Sequence, residues 1–154
     1  MERDSLLQAV LAKEPLAKAL EKSEPPAVEV PADRLFALLK ALRGDPALDF
    51  DFLVDHMAVD WLEEGVFELG YLLQSMTHGH VLRVAARISR EAPVVPTVCG
   101  IWPIAEWLER EVYDLMGVLY ENHPDLRRLF LEDDWQGFPL RRDYRDDFML
   151  EKPE

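Results

Sequence analysis

Between Trp107 and Tyr144 the chain concentrates the side chains that could do chemistry. Carboxylates stand at Glu109, Glu111 and Asp114, a histidine at His123, an acidic run at Glu132-Asp133-Asp134, and arginines at Arg110, Arg127, Arg128, Arg141 and Arg142. A carboxylate in an apolar surround can act as a general base, because burial raises its pKa toward neutrality. A histidine titrates near neutral pH and can carry a proton. The acidic run, and the His78-Gly79-His80 pair further upstream, are the candidates for holding a cation.

Helical phasing sorts these candidates. A helix with Pro103 near its first turn and Gly117 just past its end places Ile104, Leu108, Val112 and Leu115 on one face, with Trp107 at the edge. At that phase Glu111 is predicted to project into the stripe. Glu106, Glu109, Arg110 and Tyr113 are predicted to face the other way. An inward carboxylate must be paired or protonated. Arg127, Arg128, Arg141 and Arg142 are the available cations, so the pattern predicts that Glu111 pairs with one of them and ties the C-terminal segment to the helix. No nucleophile or metal motif accompanies Glu111 to favour catalysis instead.

His123-Pro124-Asp125 reads as the opening of a short helical turn carrying Arg127 and Arg128, with Leu126, Leu129 and Phe130 as its buried side. A histidine there is expected to cap or pack against the turn. Glu132-Asp133-Asp134 lacks the glycine pattern of a calcium loop and reads as a solvated acidic turn. Two histidines at a hairpin tip fall short of the three or so protein ligands of a zinc site. Pro139-Leu140-Arg141-Arg142-Asp143-Tyr144 is a basic, aromatic tip on an acidic chain. With Trp135 and Phe138 beside it, it reads as an interface, since these aromatics are costly to expose together.

The rest of the chain must position this stretch. Its 154 residues suit one domain, and a hydrophobic content of 49% excludes a disordered one. A net charge of -13 disfavours bare nucleic acid or an anionic membrane face as partner and favours a basic protein. A single cysteine, Cys99, excludes a disulfide framework and an iron–sulfur cluster held by this chain's cysteines alone. No apolar run reaches membrane-spanning length, and the N-terminus does not read as a signal peptide. There is no GxGxxG, phosphate loop, nucleophile elbow or HExxH.

Residues 1–26 read as a short helix, with Leu6, Leu7, Val10 and Leu11 on one face and Leu16 and Leu20 continuing it past Pro15, and then a turn. Ala27–Val30 is a strand candidate. Pro31–Arg43 is an amphipathic helix through Leu35, Leu38, Leu39 and Leu42. Phe50–Trp61 reads as an inner strand, with Phe50, Phe52, Val54 and Ala58 on one side and Leu53, Met57 and Val59 on the other. Phe67–Leu73 and Val81–Ile88 alternate as a hairpin around Thr77–His80, and Pro93–Gly100 is a connector. The predicted class is α+β, a largely antiparallel sheet with helices packed on one face and an irregular C-terminal docking segment. The expected organisation is an N-terminal helical, partly flexible segment over 1–26, one domain over 27–145 and a short tail over 146–154.

Glu109-Arg110-Glu111-Val112-Tyr113-Asp114-Leu115-Met116-Gly117, then His123-Pro124-Asp125-Leu126-Arg127-Arg128, Asp134-Trp135-x-Gly137 and Pro139-Leu140-Arg141-Arg142-Asp143-Tyr144 together resemble the signature of one family. It is that of the thirty-kilodalton subunit, or C subunit, of respiratory NADH:quinone oxidoreductase (complex I). The stretches Val54-Asp55 through Asp60-Trp61, Phe67–His80 and Val94–Val98 also look like it. Three positions depart from the usual pattern: Arg142 stands for Lys, Phe138 for His and Arg145 for Pro.

The resemblance implies a non-catalytic scaffold of the peripheral arm that itself binds no cofactor or metal. NADH, quinone and iron–sulfur clusters would be carried by partner subunits. The expected partners are the large quinone-pocket subunit and the small iron–sulfur subunit, with no nucleic acid and no direct membrane span. The expected location is the cytoplasmic face of the inner (plasma) membrane, reached through the complex. Glu109, Arg110, Glu111, Tyr113, Asp114, Gly117, His123, Pro124, Arg127, Arg128, Trp135, Gly137, Pro139, Leu140, Arg141, Arg142, Asp143 and Tyr144 are the implied interface and structural residues. Tyr113 and the arginine-rich tip would meet the large subunit. An equivalent subunit of an energy-converting nickel–iron hydrogenase, or of another complex I-like dehydrogenase, is the alternative. A stand-alone hydrolase using Glu111, His123 and Asp114, and an acidic mimic of nucleic acid, are readings from other classes.

Overall fold

Strict alternation in the middle of the chain builds the sheet. In the computed structural model, which describes residues 2–149, Val66–Gln74 and Val81–Ser89 pair as an antiparallel hairpin. Residues 150–154, the end of the expected tail, lie outside the described residues. Phe67, Leu69, Tyr71 and Leu73 of the first strand and Leu82, Val84, Ala86 and Ile88 of the second are buried on one face, as the alternation predicts.

In chain order the elements are α1 (Arg3–Lys13), β1 (Lys18–Leu20), β2 (Ala27–Glu29), α2 (Ala32–Gly44), β3 (Phe52–Trp61), β4 (Val66–Gln74), β5 (Val81–Ser89), β6 (Val94–Pro96), α3 (Ala105–Met116) and β7 (Leu119–Glu121). A single 3-10 turn, Leu62–Glu64, links β3 to β4. The main sheet runs β1-β2-β5-β4-β3 and is antiparallel except where β2 pairs with β5. The connector contributes a small parallel pair, β6 with β7. Leu6, Leu7 and Val10 of α1, Leu35, Leu38, Leu39 and Leu42 of α2, and Val112 and Met116 of α3 enter one core with the inner face of the sheet. The fold is thus α+β, with a mostly antiparallel sheet.

Three local expectations change. The first helix stops at Lys13, because Pro15 disfavours helix at the residue before it. Leu16 is then 55% exposed, and Leu20 closes an edge strand instead of a helix face. In β3 the register shifts between Leu53 and Asp55, a bulge that reverses which residues face inward. Leu53, His56 and Asp60 are buried, whereas Phe52, Val54 and Val59 are exposed, and β3 is an edge strand rather than an inner one. The segment after His123 forms no helical turn: it follows β7 irregularly, and Phe130 is 65% exposed.

Candidate functional site

Helix α3 carries the site, and its phase differs from the prediction. Glu109 and Asp114 are fully buried and Arg110 nearly so, while Glu111 is exposed. Of the predicted stripe only Val112 is buried; Ile104 and Trp107 are 45% and 51% exposed. The physical reason is that α3 is held on two sides. One side packs on β3, and the other is wrapped by the 97–99 turn and the segment after β7, whose backbone groups need acceptors. Buried carboxylates on α3 supply them.

Glu109 fastens the turn. Its carboxylate accepts from the Thr97 hydroxyl at 2.5 Å, the Val98 N–H at 2.7 Å and the Cys99 thiol at 3.4 Å. Burial raises its pKa, against the opposing pull of these donors. Burial likewise pushes the Cys99 thiol up to about 11, so it is not an activated nucleophile.

The His123 side chain lies buried beside this carboxylate, with Nε2 3.8 Å from Glu109 Oε2. Cys99, Glu109 and His123 bring one ligand atom each within 4.8 Å of one another, which on distance alone resembles a metal triad. The hydrogen bonds argue otherwise. His123 Nδ1 accepts the Asp125 N–H at 3.0 Å, which places the ring proton on Nε2, where it is donated to the Glu106 carbonyl at 3.1 Å. No lone pair is then left on Nε2 to face the other two groups. His123 thus ties the irregular segment after β7 to α3, while the helical turn it was expected to cap does not form.

Asp114 organises the next stretch. It accepts from Arg128 Nη1 at 2.9 Å and from the successive N–H groups of Leu129, Phe130 and Leu131 at 3.0, 2.7 and 3.1 Å. Burial works to raise its pKa, but Arg128 and the three N–H donors outweigh it and hold the carboxyl below the usual range. Arg128 also donates to the Trp135 and Gly137 carbonyls, both at 2.9 Å. Arg110 donates to the carbonyls of Arg127 and Arg128 and lies over the Trp107 ring. Arg127 pairs with Asp125 in solvent, next to an exposed Pro124.

The C-terminal tip is tied down in the same way. Arg90 at the end of the hairpin grips Asp60 through Nε at 2.6 Å and Asp143 through Nη2 at 2.7 Å. Arg141 donates to the Met116 carbonyl at 2.7 Å, closing the C-terminus of α3, and lies over the Phe67 and Phe138 rings. This approach needs Gly117 (φ 77°), because a Cβ there would stand 2.6 Å from both Arg141 and Phe138. Tyr113 is half-buried, edge-on to Phe138, rather than free on the surface. Tyr144 packs over Gly137 and donates to Asp146, Pro139 is half-buried, and Arg142 reaches Glu63.

Among the described residues Glu111 has no arginine partner. The predicted pairing role belongs to Asp114 with Arg128 and to Asp60 with Arg90. Glu111 borders an open groove, while His123 donates to the Glu106 carbonyl and Asp114 is taken up by Arg128 and three backbone N–H groups, so no hydrogen bond links the three into a hydrolytic constellation among the described residues. The two upstream histidines donate from Nε2 to the Pro46 and Leu48 carbonyls, pinning the hairpin tip to the turn after α2.

Sequence reasoning missed Asp60, Arg90, Thr97 and the buried pair His56 and Tyr120. His56 Nδ1 donates to the Gly70 carbonyl at 2.9 Å, and Nε2 accepts the Tyr120 hydroxyl at 2.6 Å. Burial pushes His56 down to about 4. Nothing local in sequence marks these residues, since their partners stand up to 82 positions away.

What the carboxylates of α3 leave outside is an apolar, acidic surface. Ile104, Trp107 and Leu140 (59% exposed) are uncovered. Between α3 and β3 runs a groove of about 170 Å³, bordered by Asp55, Met57, Glu111, Leu115 and Leu140.

Fold and site together define an α+β domain whose buried charges hold its own irregular C-terminal segment against one helix. Residues 28–147 match the family described as respiratory-chain NADH dehydrogenase, 30 Kd subunit, and the chain belongs to it. Over 142 residues it is 39% identical to the NADH-quinone oxidoreductase C subunit of Moorella thermoacetica, covering 92% of this chain and 95% of that one. Among solved structures it is similar to a chain of the membrane-bound sulfane sulfur reductase, an archaeal respiratory membrane complex, with a TM-score of 0.79 and 28% identity over 98% and 97% of the two chains. It is also similar to a trypsin-resistant fragment (1-134) of Nqo5, with a TM-score of 0.68 and 30% identity over 81% of this chain and all of that one.

Proposed function

We propose that this chain is a non-catalytic scaffold subunit in the peripheral arm of an NADH-quinone oxidoreductase of the complex I type. It docks on the large subunit that forms the quinone pocket and lies against the small iron–sulfur subunit, on the cytoplasmic face of the membrane. It holds no redox centre and supports electron transfer from NADH to quinone, coupled to proton translocation, by positioning the partners that carry it out. The observation that carries this reading is the uncovered surface of α3 and its tip. Ile104, Trp107 and Leu140 are exposed on a backing made rigid by Glu109, Asp114 and Asp60. A domain that buries its carboxylates to fix a segment, yet leaves large apolar side chains outside, is built to be covered.

The docking surface in this proposal is the outward stripe of α3 with Leu140, rather than Tyr113 and Arg141, which face their own domain. The similarity to a sulfane sulfur reductase chain favours one second reading, the equivalent subunit of a related complex with a different electron acceptor.

Purification from native membranes in mild detergent, followed by partner identification, tests the proposal. A large redox subunit should co-purify, and Trp107→Ala with Leu140→Asp should release the chain while its own unfolding midpoint stays unchanged. Recovery of the chain free of any redox subunit would refute the scaffold assignment.

A further inference from the structure

We infer that the groove between β3 and α3 receives a basic side chain, an arginine or lysine carried on an apolar segment of the docking partner. This rests on the docking reading and adds the chemistry of what the surface accepts.

The groove combines two kinds of wall. Met57, Leu115 and Leu140 make it apolar, while Asp55 and Glu111 place carboxylates on it. Neither carboxylate forms an ion pair among the described residues. Asp55, half-buried, accepts only the N–H of the adjacent His56, at 2.8 Å. The arginines that pack on α3 and the C-terminal tip are already engaged: Arg90 by Asp60 and Asp143, Arg128 by Asp114, Arg110 by the Arg127 and Arg128 carbonyls, and Arg141 by the Met116 carbonyl. His56, which also lines the groove, has both ring nitrogens occupied by Gly70 and Tyr120 and adds no positive charge.

The volume, about 170 Å³, suits one long side chain. Arginine and lysine match such a site, with an alkyl stem for the apolar walls and a charged head for the carboxylates. Glu111 lies one turn after Trp107 and one turn before Leu115 on α3, so the groove continues the exposed apolar stripe. Covering the stripe without a cation would leave two carboxylates desolvated and unpaired. Charge also excludes the other occupants. A second copy of this chain would bring a net charge of -13, and an anionic lipid or nucleic acid surface would be repelled.

The test uses the assembled complex. Asp55→Asn with Glu111→Gln, Trp107→Ala, and wild type are compared for retention of the chain across a salt series, with the unfolding midpoint of each free chain as a control for folding. The double variant should weaken retention about tenfold or more and flatten its salt dependence, with its midpoint unchanged. If Trp107→Ala releases the chain but the double variant is retained like wild type, the basic side chain is overturned and docking stands. If neither variant weakens retention, the docking surface itself is misplaced and the inference falls with it. Glu111→Gln alone, at an exposed position, gives the same readout should the double variant fold poorly.

Discussion

The carboxylate of Asp60 accepts the backbone N–H of Arg142 at 2.9 Å, across 82 positions of sequence. The same carboxylate is gripped by Arg90, which also holds Asp143. One aspartate at the end of β3 thus fixes the return of the C-terminal segment. Asp60→Asn should cost about 3 kcal/mol, because it leaves Arg90 without its buried partner. Urea unfolding measures the loss. Limited proteolysis should show earlier cleavage in the 130–145 segment than in wild type.

Gly117 and Gly65 both lie in the left-handed region, at φ 77° and 66°. An added Cβ meets Arg141 and Phe138 at 2.6 Å at the first and open space at the second. Gly65→Ala should therefore cost only the conformational term, about 1 kcal/mol. Gly117→Ala should cost clearly more, about 2–3 kcal/mol. Equal thermal midpoints for the two variants would show that the Arg141 closure is not tightly packed.

Asp114 receives only donors, from Arg128 and three successive N–H groups. Asp114→Asn turns an amide donor toward at least one of them and removes the charge that Arg128 needs. A loss of about 3 kcal/mol is expected. In hydrogen exchange the amides of Leu129, Phe130 and Leu131 should lose protection first, ahead of the sheet.

Acid should destabilise the fold through His56. Its folded pKa, about 4, lies below the ordinary value of 6.5, so the unfolded chain takes up a proton that the folded chain refuses. That contribution is fully present above pH 6.5 and is lost as the pH falls toward 4. It amounts to about 3 kcal/mol. Asp114, also depressed, adds loss in the same direction at lower pH. Glu109, raised by burial, contributes oppositely, its stabilisation weakening as pH rises through its folded pKa. His56→Gln keeps a donor for Gly70 and an acceptor for Tyr120. Its stability should therefore change much less between pH 6.5 and 4 in parallel urea titrations.

The sheet hairpin and α2 were legible from periodicity, because alternation and helical spacing are local properties; the extent of α3 was legible from Pro103 and its glycine stop, but its buried stripe was not. The signature from Glu109 to Tyr144 was legible as a family pattern. Which of its side chains do what was less so. Helical phasing states the angle between Glu109, Glu111 and Asp114, but not which side of α3 meets a neighbour. The bulge after Leu53 likewise reversed the inward set of β3 and brought His56 and Asp60 inside.

By itself, then, the sequence determined an α+β domain of one family, without a GxGxxG or phosphate-loop motif and with a charged segment following its last long helix. Only the tertiary structure decided that Glu109 and Asp114 go inside and Glu111 stays out. The reason is that α3 is clasped from two sides. Loop backbone N–H groups removed from water need acceptors, and the carboxylates that face them are the ones buried.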